Sequence, residues 1–177
     1  MAYDKIQVNT GKTIAVLSSD TVAIPSPEFT AITGATTSLA TDKLVDSGGD
    51  FINKGVTVGS IVYNDTGTAV ATVTAVDSAT TLSLSANIFT TPPNNYRVYI
   101  SNTSHPHSSD GCLLYVGSNI ATMTVDDSFV DVKVKTVAGD TITFWRFPVG
   151  NYLPVQVVQL FKTGTDTGAQ SNCIAIW

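Results

Sequence analysis

Two histidines, two cysteines and fourteen carboxylate side chains are the material from which this 177-residue chain could build a chemical site. His105, His107, Asp110 and Cys112 fall within one short span and could in principle offer ligands to a transition metal. Their spacing matches no established zinc pattern, and His-Pro-His inside a polar stretch reads as a surface loop, which rarely supplies the supporting hydrogen bonds that hold ligands in place. A nucleophile would need Ser or Cys beside His. Cys112 follows His107 closely, but it opens the apolar run CLLYV and reads as a small buried hydrophobe. Asp126 and Asp127 are adjacent, so their side chains diverge, whereas glycoside hydrolysis needs two carboxyls facing each other across a cleft. A calcium loop of the Asp-x-Asp-x-Asp-Gly kind is missing, and Gly117, Gly139 and Gly150 read as isolated turn glycines rather than a phosphate cradle. These residues therefore predict no enzyme and no catalytic, cofactor or metal site.

Recognition chemistry has more to work with. Phe144, Trp145, Phe147 and Tyr152 gather around Arg146, and Trp, Tyr and Arg are the types enriched at protein interfaces. Strict strand alternation would bury Phe144 and turn Trp145 and Phe147 to the opposite face. Those rings need a cover, supplied either by the N-terminal part of the same chain or by another subunit, and both remain open at this point. Pro25 and Pro27 each remove a backbone donor and bias their neighbours towards extended structure. With Phe29 they mark residues 18 to 40 as an arm or surface loop that lies on a partner. Trp177 ends an apolar strand and reads as a core residue closing a sheet.

The elements that position these residues are strands. Charged residues make up only 13% of the chain and Glu28 is the sole glutamate, so the Glu/Lys pairs that support exposed helices are missing. Thr and Val dominate; branching at Cβ stiffens χ1 and suits a pleated surface. The runs SIVYN, AVATVTAVD and TLSLS, joined by Asn64-Asp65-Thr66-Gly67 and Asp77-Ser78-Ala79-Thr80, predict a three-strand meander. Within it Val70, Thr72, Thr74 and Val76 should share one face, and Ala71, Val73 and Ala75 the other. GGDFINKG and ANIF could each add one helical turn. After the polar stretch SNTSHPHSSDG, five more runs follow: CLLYVG, DVKVKTV, TITFWRF, PVQVVQLF and NCIAIW, with Ala138-Gly139-Asp140 as a tight hairpin. Val130, Val132 and Val134 should face a core opposite Asp131, Lys133 and Lys135.

The expected architecture is all-β: an N-terminal arm with short strands over 1–40, a small β-barrel or sandwich over 41–105, and a second antiparallel β domain over 106–177. No apolar run is long enough to span a bilayer, and the start lacks the pattern of an export signal, so neither membrane anchor nor signal is expected. A net charge of −5 with scattered Lys and Arg argues against direct nucleic-acid binding. Cys112 and Cys173 could lie near each other in a sheet, but without an export signal they should stay reduced.

Two stretches carry a family resemblance. In the first, Asp50-Phe51 precedes a Val58-Gly59 turn, Ile61-Val62-Tyr63, Ala71-Thr72-Val73, Leu82-Ser83-Leu84 and Ile88-Phe89. The second has the Gly139-Asp140 hairpin, Phe147-Pro148-Val149-Gly150, Leu153-Pro154-Val155-Gln156-Val157, Thr163-Gly164-Thr165 and terminal Trp177. Together they resemble tailed-bacteriophage virion structural proteins, head decoration or cement proteins first. That resemblance implies a protein assembled in the host cytoplasm that binds the major capsid protein or other virion proteins. It also implies a homo-oligomer, a trimer being the form it favours. Neck, tail and fibre-attachment proteins use similar modules, and a carbohydrate- or receptor-binding β module is the reading from a different class.

Overall fold

Val- and Thr-rich runs punctuated by Gly, Asn and Asp become strands and tight turns. The computed structural model of the chain describes residues 11–26, 31–100, 111–118 and 128–177, and among these it has no helix. The strands are β1 (Thr13–Val16), β2 (Ala31–Ala35), β3 (Lys43–Val45), β4 (Ile61–Asn64), β5 (Ala69–Ser78) and β6 (Thr81–Leu84). They continue with β7 (Asn95–Tyr99), β8 (Cys112–Val116), β9 (Phe129–Thr136), β10 (Thr141–Pro148), β11 (Asn151–Leu160) and β12 (Cys173–Ile176). The chain divides into two units, one made of Met1–Pro27 with Ser108–Trp177, the other of Glu28–His107. Each holds a six-stranded antiparallel sheet.

In the Glu28–His107 unit the strand order is β2-β7-β4-β5-β6-β3, and β4-β5-β6 is the expected meander. Asn64 makes its first turn by accepting the Gly67 N–H on Oδ1 at 2.8 Å. β5 changes partner along its length, bonding β4 through Ala69–Thr72 and β6 from Val73 onwards. Register shifts after Val73 and again after Val76 bend the strand, as bulges do. They also correct the simple alternation: Val76 returns to the side of Ala71 and Val73 and packs on the same core as Leu44, Phe51 and Leu82. The bending curls the sheet until Ser38 bridges Val45 of β3, with the Thr37 N–H donating to the Val45 carbonyl at 2.9 Å. Two buried polar contacts tie the inside together. The Tyr96 hydroxyl donates to Asp46 at 2.6 Å, and the Asn64 amide donates to the Ile88 carbonyl at 2.7 Å. Residues 51–55 form turns, where Lys54 N–H bonds Asp50 C=O at 3.0 Å and Phe51 is sealed in the core.

In the other unit the order is β1-β12-β8-β11-β9-β10. Val130, Val132 and Val134 are all buried, as period-2 alternation requires, against Val16, Leu114, Leu153 and Ala175. The expectation of an arm over 1–40 is corrected here for residues 13–26 and 31–35. β1 pairs with β12, from Thr13↔Ile176 to Val16↔Cys173, so the described start of the chain is part of the C-terminal sheet. Residues 17–26 then follow β11: Ser19 N–H bonds the Leu160 carbonyl at 2.9 Å and Ile24 N–H the Val158 carbonyl at 2.8 Å. The physical reason is apolar content. Leu17, Val22 and Ile24 gain more from burial than an exposed arm would give them, and Pro25 is buried with them. Residues 31–35 belong instead to the Glu28–His107 unit as β2.

Cys112 and Cys173 are free and buried, lying at opposite ends of the β8–β12 ladder in which Ile174 faces Tyr115 and Ile176 faces Leu113. Each thiol donates to a backbone carbonyl, Cys112 to Val157 at 3.2 Å and Cys173 to Ala169 at 3.3 Å. Burial pushes both thiols up to about 12. Folding should therefore cut the thiolate fraction at pH 8 by about a thousandfold, since only the thiolate attacks. A thiol reagent should leave the native protein unlabelled for hours and label both cysteines rapidly in denaturant; equal rates in the two states would refute this packing.

Candidate interaction surface

The β9–β10 ribbon carries the aromatic cluster, and a bulge decides which way each ring points. Register runs evenly from Thr141↔Lys135 to Phe144↔Val132, then shifts before Phe147↔Val130. Trp145 and Arg146 together oppose a single β9 residue, and Arg146 takes φ +47°, a left-handed value uncommon for a residue with a side chain. Its N–H donates to Asp131 Oδ1 at 2.8 Å, which holds the bulge in place. Phe147 is thereby returned to the core face, where it meets Phe144 edge-to-face with centroids 5.9 Å apart. This corrects the expectation that Phe147 would share Trp145's side. Trp145 stays 75% exposed.

Around it the outer face is braced by charge and π contacts. The Arg146 guanidinium stands 5.2 Å from the centre of the Phe129 ring, and Lys133 Nζ lies 5.3 Å from that of Phe161. Where β11 leaves β9, residues 161–166 take over the vacated edge. Asp166 accepts the Asp131 N–H at 2.8 Å and Thr165 accepts the Lys133 N–H at 2.9 Å. Asp20 ties this loop down by accepting both the N–H and the hydroxyl of Thr163, which holds its carboxyl below the usual range. Tyr152, 50% exposed, leans on Tyr115 of β8 at 5.4 Å. It therefore sits on a strand that is not paired with the strand of Trp145.

Of the residues singled out from the sequence, Trp145, Arg146 and Tyr152 lie at the surface, Phe147 lines the core, and Pro25 is buried. Pro27 and Phe29 lie outside the described residues, as do His105, His107, Asp110, Asp126 and Asp127. Among the described residues no group of three or more His, Cys, Asp or Glu side chains could hold a metal, and no helix is long and apolar enough to cross a membrane.

Two features went unread in the sequence. In the Glu28–His107 unit Arg97 clasps Asp65 through Nε and Nη2 at 2.7–3.0 Å and lies over the rings of Tyr63 and Tyr99. The phrases YND and YRVY carried that signal, because an Arg flanked by tyrosines on a strand favours a stacked, bidentate pair. The second is a set of apolar side chains exposed in loops and turns: Leu39, Ile52 and Val58 are each more than half exposed. No family model, curated protein or solved structure matches the chain.

Proposed function

We propose that this chain is an adhesive structural protein of a tailed-bacteriophage particle that binds the capsid surface and reinforces the head. The observation that carries the reading is the exposure of Leu39, Ile52 and Val58, apolar side chains that gain free energy only when a partner covers them. The resembling phrases add weight: Phe51 and Val62 fill one core, Gly59 takes φ +90° at its turn, and Phe147–Gly150 connects β10 to β11. In this reading exposed loops and turns of the Glu28–His107 unit take the docking role first expected of residues 18 to 40. Deleting residues 1 to 40 would remove β1 and β2 and so would test folding rather than docking. A neck or tail joint would use the same chemistry at lower copy number.

Purified protein should co-sediment saturably with heads that lack it, and Ile52→Asp with Val58→Asp should weaken this by about a hundredfold, roughly the transfer free energy of two apolar contacts. Failure of the unaltered protein to bind any such head would overturn the reading. The exposure of Trp145 favours a second reading, a carbohydrate- or receptor-binding module. Glycan-array signal lost on Trp145→Ala would select it; an empty array beside retained head binding would remove it.

A further inference from the structure

We propose that the open edge of β10 is a two-fold seam at which a second copy of this chain pairs antiparallel, with Ile142 on the axis. The sheet ends at β10, which has β9 on one side and, among the described residues, no strand on the other. Thr136 N–H bonds the Asp140 carbonyl at 2.9 Å, and this closing pair sets the alternation that follows. Ile142 and Phe144 turn their backbone groups towards Val134 and Val132, so Thr141 and Thr143 turn theirs outward. An exposed edge of this kind is a template for another strand.

The edge is complementary to itself in one register. With Ile142 opposite Ile142 of the second copy, Thr141 of each copy meets Thr143 of the other, and the outward N–H and C=O groups of both residues are satisfied in four hydrogen bonds. Ile142, 38% exposed on the side of the sheet that carries the core, is covered by its counterpart. Trp145 falls beside Gly139 of the second copy, a turn glycine at φ +94° around which no atom approaches the place a Cβ would take. The exposed indole thus meets a turn with room beside it. Antiparallel pairing also brings Asp140 of one copy towards the Arg146 end of the other, whereas parallel pairing would set like charges together. The register shift between Phe144 and Phe147 bounds the seam at that end.

The seam names the self-partner of the proposed assembly. It closes at two copies, in place of the trimer that the resemblance implies. It rests on β10 alone, and its test uses isolated protein, so failure here leaves the capsid reading to be decided by particle binding. Sedimentation equilibrium of the full chain should give twice the chain mass at micromolar concentration. Thr143→Pro removes an outward donor without touching the β9 ladder and should weaken the dimer by about a hundredfold, a tenfold step for each of the two donors lost. Ile142→Lys, which sets two ammonium groups face to face on the axis, should do the same while circular dichroism stays unchanged. A monomer at these concentrations, or a dimer that survives either folded variant, would overturn the seam.

Discussion

Gly34→Ala is expected to destabilise the curled sheet of the Glu28–His107 unit by about 3 kcal/mol, at the upper end of what overpacking a tight site costs. Gly34 of β2 pairs with Tyr96 of β7, and a Cβ there would fall on the Tyr96 ring and hydroxyl and 2.9 Å from Asp46 Oδ2. Tyr96 cannot easily yield. It is buried, packs beside Phe51 at 6.2 Å between ring centres, and donates the 2.6 Å bond that satisfies Asp46. Pushing the ring aside would leave a buried carboxylate oxygen without its donor, a cost of about 1–3 kcal/mol within the same total. Amide hydrogen exchange in β4 and β7 should accelerate by roughly a hundredfold, since each 1.4 kcal/mol is a tenfold step. Unchanged protection would mean that the Tyr96–Asp46 pair does not hold this sheet.

Leu114→Ala should cost the other unit about 2–5 kcal/mol, the range for deleting a leucine from a well-packed core. Leu114 is fully buried at the middle of β8, between β12 and β11, in one cluster with Val132, Leu153 and Ala175. Trp177 packs against that cluster and Cys112 and Cys173 belong to it, so two probes report the same event. The urea midpoint followed by tryptophan emission should fall, and thiol labelling in the absence of denaturant should quicken in parallel. A variant with an unshifted midpoint would show that the cluster is not the core of this unit.

How much of this was legible in the sequence depended on how far apart the interacting residues lie. Val130, Val132 and Val134 announce their buried face by period 2, and Ala138-Gly139-Asp140 announces its hairpin because Gly139 takes φ +94°. Local rules suffice there. The pairing of β1 with β12 joins the two ends of the chain, and nothing in KTIAVLS names its partner, so the segment reads as part of an arm. The bulge at Trp145–Arg146 is equally silent. Its left-handed residue is an arginine rather than a glycine, and it is held by the Asp131 carboxylate, a partner that sequence spacing does not reveal. That one inserted residue reverses the expected side of Phe147 while leaving Trp145 outside. Pro25 misleads for a related reason: a residue without a donor suits an exposed loop, yet it is equally at home in a buried stretch, as beside the buried Ile24 and Val22.

The candidate surface divides the same way. Trp145 and Arg146 could be singled out by type, whereas the exposure of Ile52 and Val58 follows from Phe51 being drawn into the core, which leaves the next turn facing water. Counting this chain in purified virions with quantitative mass spectrometry decides whether it adheres to a virus particle. Copies on the order of hundreds per particle are expected, since many weak contacts act together. Absence of the chain from the particles would contradict that adhesion.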